Sequence, residues 1–167
     1  MKTLKYYLNK AYKEKWAIGQ FNFSDFSQVK GIVKAAQNLR APIILGTSEG
    51  ESKFIGLHQA VAVRDILSKE TLRRGSGQAL PIFLNSDHGK SFEYLKEAIL
   101  AGYDMVHFDG SKLSLEENIK ISKKVTAFAQ KKGIVVEGEV GRFGTEASRL
   151  YQEKFEIKEE DLTNPME

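Results

Sequence analysis

The sequence contains no cysteine in its 167 residues. This absence excludes disulfide bonds and zinc sites built on thiolates, so any bound metal ion must be held by histidine, aspartate or glutamate. No long apolar run follows the N-terminal residues 1–7, which argues against a signal peptide and against a membrane-spanning helix. We therefore predict a cytoplasmic protein that does not bind membranes.

An excess of charge of one sign is also missing. The 25 lysine and arginine residues nearly cancel the 22 aspartate and glutamate residues, which leaves a formal net charge of +3. No basic stripe alternates with aromatic residues, so we predict no nucleic-acid partner. With 41% hydrophobic and 28% charged residues, and no proline- or glycine-rich linker, the composition is typical of one globular domain.

Short apolar segments alternate with segments of helical length along the chain. An opening amphipathic helix is predicted over residues 4–16. The predicted strands then cover residues 17–23, 42–46, 80–84, 105–108 and 134–140, and the predicted helices cover residues 26–39, 57–72, 91–101 and 114–131. Ser114 and Glu117 predict a capping box at the start of the last helix. This alternation favours a parallel sheet. An open doubly wound sheet and a closed barrel both fit it.

The last residues of the sequence predict the start of a further helix. In residues 163–167, Asn164 would be the N-cap and Pro165 would occupy the first turn. Five strands are too few to close a parallel barrel, which typically takes about 250 residues. We therefore expect residues 1–167 to be the N-terminal part of one domain, truncated at its C-terminus.

The most unusual segment follows the third predicted strand and reads Leu84-Asn-Ser-Asp-His-Gly89. Ligands of α/β folds bind at the carboxyl ends of parallel strands, so a polar cluster at this point is a candidate site. The imidazole of His88 suits zinc, and the carboxylate of Asp87 could serve as a general acid or base. The alternative is that Asp87 caps the next helix and His88 occupies a polar turn.

Two further polar clusters follow the fourth and fifth predicted strands. Alternation along the strand places His107 and Asp109 on one side of the fourth strand; the alternative is a loop aspartate followed by a turn glycine. Glu137 and Glu139 share one face of the fifth strand. We predict that this strand is buried, so the carboxylates need a cation, a donor or a metal ion as partner. The alternative is a face open to solvent.

The first two predicted strands end in side chains that could bind a hydroxylated substrate. These are Asn22 and Ser48, although both residue types are also common in turns. His58, at the start of a predicted helix, is interpreted as a surface or packing histidine. Because the carboxyl ends of successive parallel strands meet at one edge, the polar clusters together predict a single functional site there.

Taken together, these segments resemble the class II fructose- and tagatose-bisphosphate aldolases. The matching segments are Gly19-Gln-Phe-Asn-Phe23, Ala41-Pro-Ile-Ile-Leu45 with Ser48, Leu84-Asn-Ser-Asp-His-Gly89, Phe108-Asp-Gly-Ser-Lys112 with Glu116-Glu-Asn118, and Val136-Glu-Gly-Glu-Val-Gly141. The resemblance runs along the whole chain and covers roughly the first half of a family member. It implies an α/β fold, an incomplete (β/α)8 TIM barrel with about five of its eight βα units present.

The resemblance also implies roles for single residues. His88 matches the first of three histidines that bind the catalytic zinc ion, and Asp87 matches the acid/base that exchanges a proton with the substrate C4 hydroxyl. Asp109 and Glu139 match carboxylates associated with a second or alternate metal position, filled by a divalent or monovalent cation. Zinc would polarise the ketose carbonyl and stabilise the enediolate left after C3–C4 cleavage, without a lysine Schiff base.

The implied partner is a phosphorylated ketose. Asn22 and Ser48 match residues that contact it, and the implied reaction is the reversible glycolytic cleavage of fructose 1,6-bisphosphate into dihydroxyacetone phosphate and glyceraldehyde 3-phosphate. Tagatose bisphosphate is left open as the substrate. Family members are usually homodimers or homotetramers when full length, and we expect the same of the complete protein.

Two departures from the family pattern limit these implications. The other two zinc histidines and the phosphate-binding loops lie in later strands of the family; His58 and His107 do not match them, and His107 stands where relatives usually carry an apolar residue. One histidine with distant carboxylates is a poor zinc site by ligand number. After the fifth strand, Gly144-Thr-Glu-Ala-Ser148 matches the family's mobile loop only loosely, with Glu146 as its candidate acid/base.

Two interpretations follow from the sequence. In the first, the chain is the N-terminal portion of a zinc-dependent ketose-bisphosphate aldolase and is inactive alone. In the second, it is a non-catalytic half-barrel that pairs with a separate second half or serves as an interaction module. A metal-dependent lyase for another phosphorylated sugar is a variant of the first.

Overall fold

The structure is a computed structural model that describes residues 2–73, 80–141, 163 and 166. Within these residues, strands and helices alternate as the sequence predicts. The elements are α1 (Leu4–Glu14), β1 (Gly19–Asn22), α2 (Phe26–Leu39), β2 (Ile43–Ser48), α3 (Glu49–Ile55), α4 (Leu57–Arg73), β3 (Ile82–Gly89), α5 (Phe92–Ala101), β4 (Met105–Phe108), α6 (Leu115–Gln130) and β5 (Val135–Gly138). The helix start predicted around Asn164 lies outside the described residues.

The five strands form one parallel sheet in the order β1-β2-β3-β4-β5. Each strand therefore pairs with the strand that precedes it in the chain, and the order does not reverse as it does at the switch point of a doubly wound sheet. With helices between successive strands, this is the arrangement of a partial (β/α)8 barrel. The predicted fold class is confirmed.

The two faces of the sheet bury different sets of apolar side chains. One face packs against the helices between the strands, where Leu45, Leu84 and Val106 contact residues such as Val29 and Leu95 in the larger core. The other face is closed by α1 in a smaller cluster formed by Leu4, Ile44, Phe83 and Met105. Since side chains alternate along a strand, the next residues on this second face toward the carboxyl ends are polar, namely Asn85 in β3 and His107 in β4.

Side-chain caps fix where several helices begin. Asp25 and Gln28 form a capping box at the start of α2, and Ser48 and Glu51 form another at the start of α3. At α6, the Glu117 amide donates to the Ser114 hydroxyl as predicted. The Glu117 carboxylate, however, accepts a hydrogen bond from that hydroxyl at 3.0 Å.

Several helix and strand boundaries, and the exposure of one side chain, differ from the sequence predictions. Helix α3 was not predicted, and β3 extends to Gly89 instead of ending at residue 84. Strand β5 ends at Gly138, and Glu137 on it is exposed. The burial expected for both β5 carboxylates is therefore wrong for Glu137, because β4 is the sole strand that pairs with β5 within the described part of the chain.

Across the described segments, no helix combines the length and the apolar character that a membrane span requires.

Candidate active site

Strand ends from across the sheet bring five of the predicted site residues into one connected cluster. Asn22 is the last residue of β1, and Asp87 and His88 lie near the end of β3. Asp109 comes directly after β4, and Glu139 comes directly after β5. The convergence predicted from the sequence is therefore present at the carboxyl edge of the sheet.

The carboxylate of Asp87 on β3 accepts hydrogen bonds from two side chains of β1, which lies on the far side of β2. Asn22 Nδ2 donates to Asp87 Oδ2 at 2.8 Å, and Gln20 Nε2 lies 3.4 Å from Oδ1. Burial raises the pKa of Asp87, but the hydrogen bonds from His107 and Asn22 and the neighbouring His88 outweigh burial and hold the pKa below its ordinary value. Asp87 is thus kept ionised and able to accept a proton.

Two residues without a role in the sequence analysis orient this carboxylate. Asn85 is fully buried, and its Nδ2 donates to Gln20 Oε1 at 3.0 Å. This bond directs the amide nitrogen of Gln20 toward Asp87. The contact joins residues 65 positions apart, and it depends on the β1–β2–β3 pairing register, which local sequence patterns do not reveal.

His88 has an uncommon backbone conformation, with φ of 52° in the left-handed region. It lies within an irregularity of the β3–β4 pairing between Ser86 and Gly89. Its Nδ1 atom is 3.3 Å from Asp109 Oδ2 and 3.4 Å from Glu139 Oε2. Carboxylates that are distant from His88 in the sequence therefore lie beside it, because the register of three strands brings them together.

Asp109 is fixed by the residue two positions after it. Its Oδ1 atom accepts from the Ser111 amide at 3.1 Å and from the Ser111 hydroxyl at 2.5 Å, which leaves Oδ2 for His88. Burial raises the pKa of Asp109, but the two Ser111 hydrogen bonds and the nearby His88 outweigh it, so the pKa falls below its ordinary value. Asp109 is therefore an anionic oxygen donor.

His107 is a member of the cluster that the sequence analysis did not select as a ligand. It is 5% exposed, and its Nδ1 atom lies 3.5 Å from Asp87 Oδ1 while its Nε2 atom lies 3.3 Å from Glu139 Oε2. Burial lowers the pKa of His107, but the Asp87 hydrogen bond and the charges of Glu137, Asp87 and Glu139 raise it overall. The sequence feature that could have identified His107 is its position two residues before Asp109, which places both side chains on the same side of the strand.

The cluster fits a metal ion on two observations. Two groups offer donor atoms that lie within 4.8 Å of one another, Asp87-His88-His107 and His88-Asp109-Glu139. Furthermore, His107 Nε2 and Glu139 Oε2 are buried without a hydrogen-bond partner among the described residues, a costly state unless another group satisfies them. Imidazole and carboxylate donors together suit divalent transition-metal ions.

The remaining predicted residues lie in different settings. Ser48 pairs in register with Asp87, and its hydroxyl accepts from the Glu51 amide at 3.2 Å as the N-cap of α3. Its role toward a substrate stays a prediction. His58 is exposed, which confirms the interpretation as a surface histidine. Glu146 lies outside the described residues.

Comparison with known proteins identifies relatives along nearly the whole chain. The family description "Fructose-bisphosphate aldolase class-II" matches residues 2–167. The fructose-bisphosphate aldolase of Geobacillus stearothermophilus is 35% identical over 142 residues, which are 85% of this chain and 48% of the relative. That of Staphylococcus aureus strain Mu50 is 36% identical over 143 residues, with the same coverage of both chains.

Solved structures agree in fold. The YdjI aldolase of Escherichia coli K12 superposes with a TM-score of 0.68 at 24% identity, over 82% of this chain and 51% of that one. The fructose-bisphosphate aldolase of Campylobacter jejuni gives a TM-score of 0.64 at 21% identity, over 84% of this chain and 47% of that one. The chain spans about half the length of the curated relatives it matches. On the family match and these relatives, it belongs to the class II fructose-bisphosphate aldolase family.

Proposed function

We propose that the chain is the N-terminal portion of a zinc-dependent aldolase that reversibly cleaves fructose 1,6-bisphosphate into dihydroxyacetone phosphate and glyceraldehyde 3-phosphate. The observation that carries this proposal is the placement of Asp87 beside His88, with Asp109 and Glu139 around the imidazole at one edge of the sheet. A proton acceptor and a metal-binding group are thus adjacent, as an aldol cleavage needs.

In this proposal, His88, Asp109 and Glu139 hold the metal ion. Their donor set contains one imidazole and two carboxylates, a combination that zinc accepts. When bound, a divalent ion supplies Lewis-acid polarisation of a carbonyl group. The other two zinc histidines and the phosphate-binding loops would come from the portion of the family that this chain does not match.

Asp87 performs the proton transfer. Its lowered pKa keeps it ionised, so in the cleavage direction it accepts the proton of the substrate C4 hydroxyl as the C3–C4 bond breaks. In the condensation direction, the protonated Asp87 returns that proton to the new hydroxyl. Asn22 and Gln20 hold the carboxylate in place through contacts of 2.8 and 3.4 Å.

Further features of the proposal stay predictions from the sequence. Asn22 and Ser48 would contact the substrate, and Glu146 would transfer a proton at the carbon that becomes nucleophilic. A second or alternate cation position that shares Asp109 and Glu139 with the first, assembly into a homodimer or homotetramer, and a cytoplasmic location complete the prediction. Tagatose bisphosphate is the alternative substrate.

The test compares residues 1–167 with the same chain extended through its downstream reading frame. Cleavage of fructose and tagatose bisphosphates is measured with zinc and with a chelator. We expect activity only in the extended chain. A chelator and the substitutions Asp87→Ala and His88→Ala should each abolish that activity. The control variant His58→Ala, which replaces an exposed histidine outside the cluster, should stay active. An extended chain that binds zinc and cleaves neither substrate contradicts the proposal.

A second candidate function is a non-catalytic half-barrel that pairs with a separate second half. The observation that favours it is a groove of about 490 Å³ between α6 and β5, lined in part by Leu115, Ile119 and Val140, which are 39%, 45% and 55% exposed. If no reading frame continues past Glu167 and the folded chain is inert toward both substrates, this alternative replaces the aldolase proposal.

A further inference from the structure

We propose that His107 is a metal ligand, binding a divalent transition-metal ion through its Nε2 atom together with the Oε2 atom of Glu139. The inference deepens the proposed function, since it adds a second imidazole to the metal site. It does not require aldolase activity, because metal binding by these two side chains can be measured directly.

Burial is the first argument. His107 is 5% exposed, and its Nε2 atom has no hydrogen-bond partner within the described part of the chain. The Oε2 atom of Glu139 is in the same state. Buried polar atoms are nearly always satisfied by protein, water or an ion, so two adjacent unsatisfied atoms indicate a missing group between them.

Distance is the second argument. His107 Nε2 and Glu139 Oε2 lie 3.3 Å apart without forming a hydrogen bond. Bonds of about 2.0–2.1 Å to a tetrahedral ion place neighbouring donor atoms about 3.3–3.4 Å from each other. The same oxygen is 3.4 Å from His88 Nδ1. Each imidazole nitrogen, taken with Glu139 Oε2, therefore stands at the separation expected of two ligands of one ion.

Orientation of the imidazole is the third argument. His107 Nδ1 lies 3.5 Å from Asp87 Oδ1 and 3.4 Å from the His88 amide nitrogen. These two contacts need opposite tautomers, because the first requires a proton on Nδ1 and the second a lone pair. A carboxylate oxygen accepts hydrogen bonds, so the contact with Asp87 favours the proton on Nδ1 and leaves the Nε2 lone pair free for a metal ion. Metal-binding histidines commonly donate their other ring nitrogen to a carboxylate in this way.

One consequence links the metal site to the proton acceptor. A metal ion on Nε2 would fix the His107 ring and so hold its Nδ1–H toward Asp87. Asp87 would then be oriented by Asn22 from one side and by the metal-bound His107 from the other.

The first experiment uses the unmodified chain labelled with ¹⁵N-histidine. Because the sequence has three histidines, two-bond ¹H–¹⁵N correlation spectra can follow every imidazole as Zn²⁺ is added. We expect His107 Nε2 to move to the frequency of a metal-bound nitrogen with its Nδ1 protonated, while the exposed His58 does not change. A His107 Nε2 that stays unshifted at saturating Zn²⁺ overturns the inference.

The second experiment tests the ligand by substitution. We expect His107→Gln to weaken Co²⁺ binding by about tenfold or more and to reduce the visible d–d absorption, whereas the matched variant His58→Gln binds as the parent does. Equal affinity and an equal spectrum for both variants overturn the inference. If His107→Gln does not fold, as judged by circular dichroism, the spectra of the unmodified chain decide.

Neither readout depends on aldol cleavage. Co²⁺ bound through His107 in a protein that cleaves no ketose bisphosphate contradicts the proposed function and supports the ligand. Cleavage by an extended chain in which zinc does not shift the His107 Nε2 resonance supports the proposed function and overturns the ligand.

Discussion

Single residues decide the ionisation of the site. Asp87 is bound by an amide from β1 and an imidazole from β4, and these contacts outweigh the burial that would otherwise protonate it. Because its pKa is lower in the folded chain than in the unfolded chain, its ionisation stabilises the fold above its ordinary pKa. That contribution is lost as the pH falls through the folded value.

We expect Asn22→Ala to move the pKa of Asp87 upward, since the variant removes the 2.8 Å hydrogen bond to the carboxylate. The stability lost between neutral pH and acid should then be smaller in the variant than in the parent. A ¹³C-carboxyl titration of the metal-free chain measures the pKa, and urea unfolding across the same pH range measures the stability. An unchanged Asp87 titration would show that Asn22 does not hold the ionised form.

A half-buried ion pair outside the candidate site provides a second residue-scale prediction. Asp104 accepts from the Leu84 amide at 2.9 Å and pairs with Arg64. We expect Asp104→Ala to lower the free energy of unfolding by about 1–3 kcal/mol, because the buried Leu84 amide loses its acceptor. Asp65 also pairs with Arg64 but is about half exposed, so Asp65→Ala should cost less than about 1 kcal/mol. Urea unfolding of both variants makes the comparison, and equal losses would contradict it.

At the scale of elements, the sequence predicts periodic segments well and polar strand ends poorly. The bounds of α2 and β4 agree with the prediction. Strand β3 continues to Gly89 because the backbone pairing with β2 and β4 persists through polar residues that resemble a loop in sequence. Helix α3 was missed although Ser48 and Glu51 have capping-box spacing, since its seven residues are too few for a clear apolar period.

The sequence likewise predicts some residues of the candidate site and not others. Asn22, Asp87, His88, Asp109 and Glu139 were predicted because each stands in a motif at a strand end. Gln20, Asn85 and His107 were given no role because their contacts are set by register across the sheet. No single segment of sequence contains that information.

Close packing between β3 and α5 provides the element-scale prediction. A Cβ atom at Gly89 would lie 2.9 Å from Leu95 Cγ and 3.0 Å from Tyr94 Cδ1. We expect Gly89→Ala to destabilise the fold by about 1–3 kcal/mol as α5 is displaced, and to weaken zinc binding by shifting the adjacent His88.

The matched control is Gly31→Ala in α2, where an added Cβ has open space. This change should stabilise the fold by about 0.5–1 kcal/mol, because alanine favours a helix interior over glycine. Chemical unfolding and Zn²⁺ titration of both variants test the pair. A Gly89→Ala chain as stable as the parent would mean that the helix and strand are less tightly packed than described.

At the scale of the whole molecule, the groove between α6 and β5 leaves apolar side chains in contact with water. Exposed apolar patches of this kind favour association. We expect Ile119→Lys to increase the monomer fraction of residues 1–167 in sedimentation experiments. The control Leu39→Lys replaces a residue that is 77% exposed at the end of α2 and should leave the fraction unchanged. Equal effects of the two variants would place the association surface elsewhere.

The order of the strands has a consequence for how the chain folds during synthesis. Since every strand from β2 onward pairs with the strand before it, its partner has already left the ribosome when it emerges. The sheet can therefore grow from its first edge by one helix and one strand at a time, each new strand pairing with a strand already in place. On this reasoning, the residues of the site assemble in order of translation, and Glu139, which lies beyond β5, is the last of the clustered residues to reach its place.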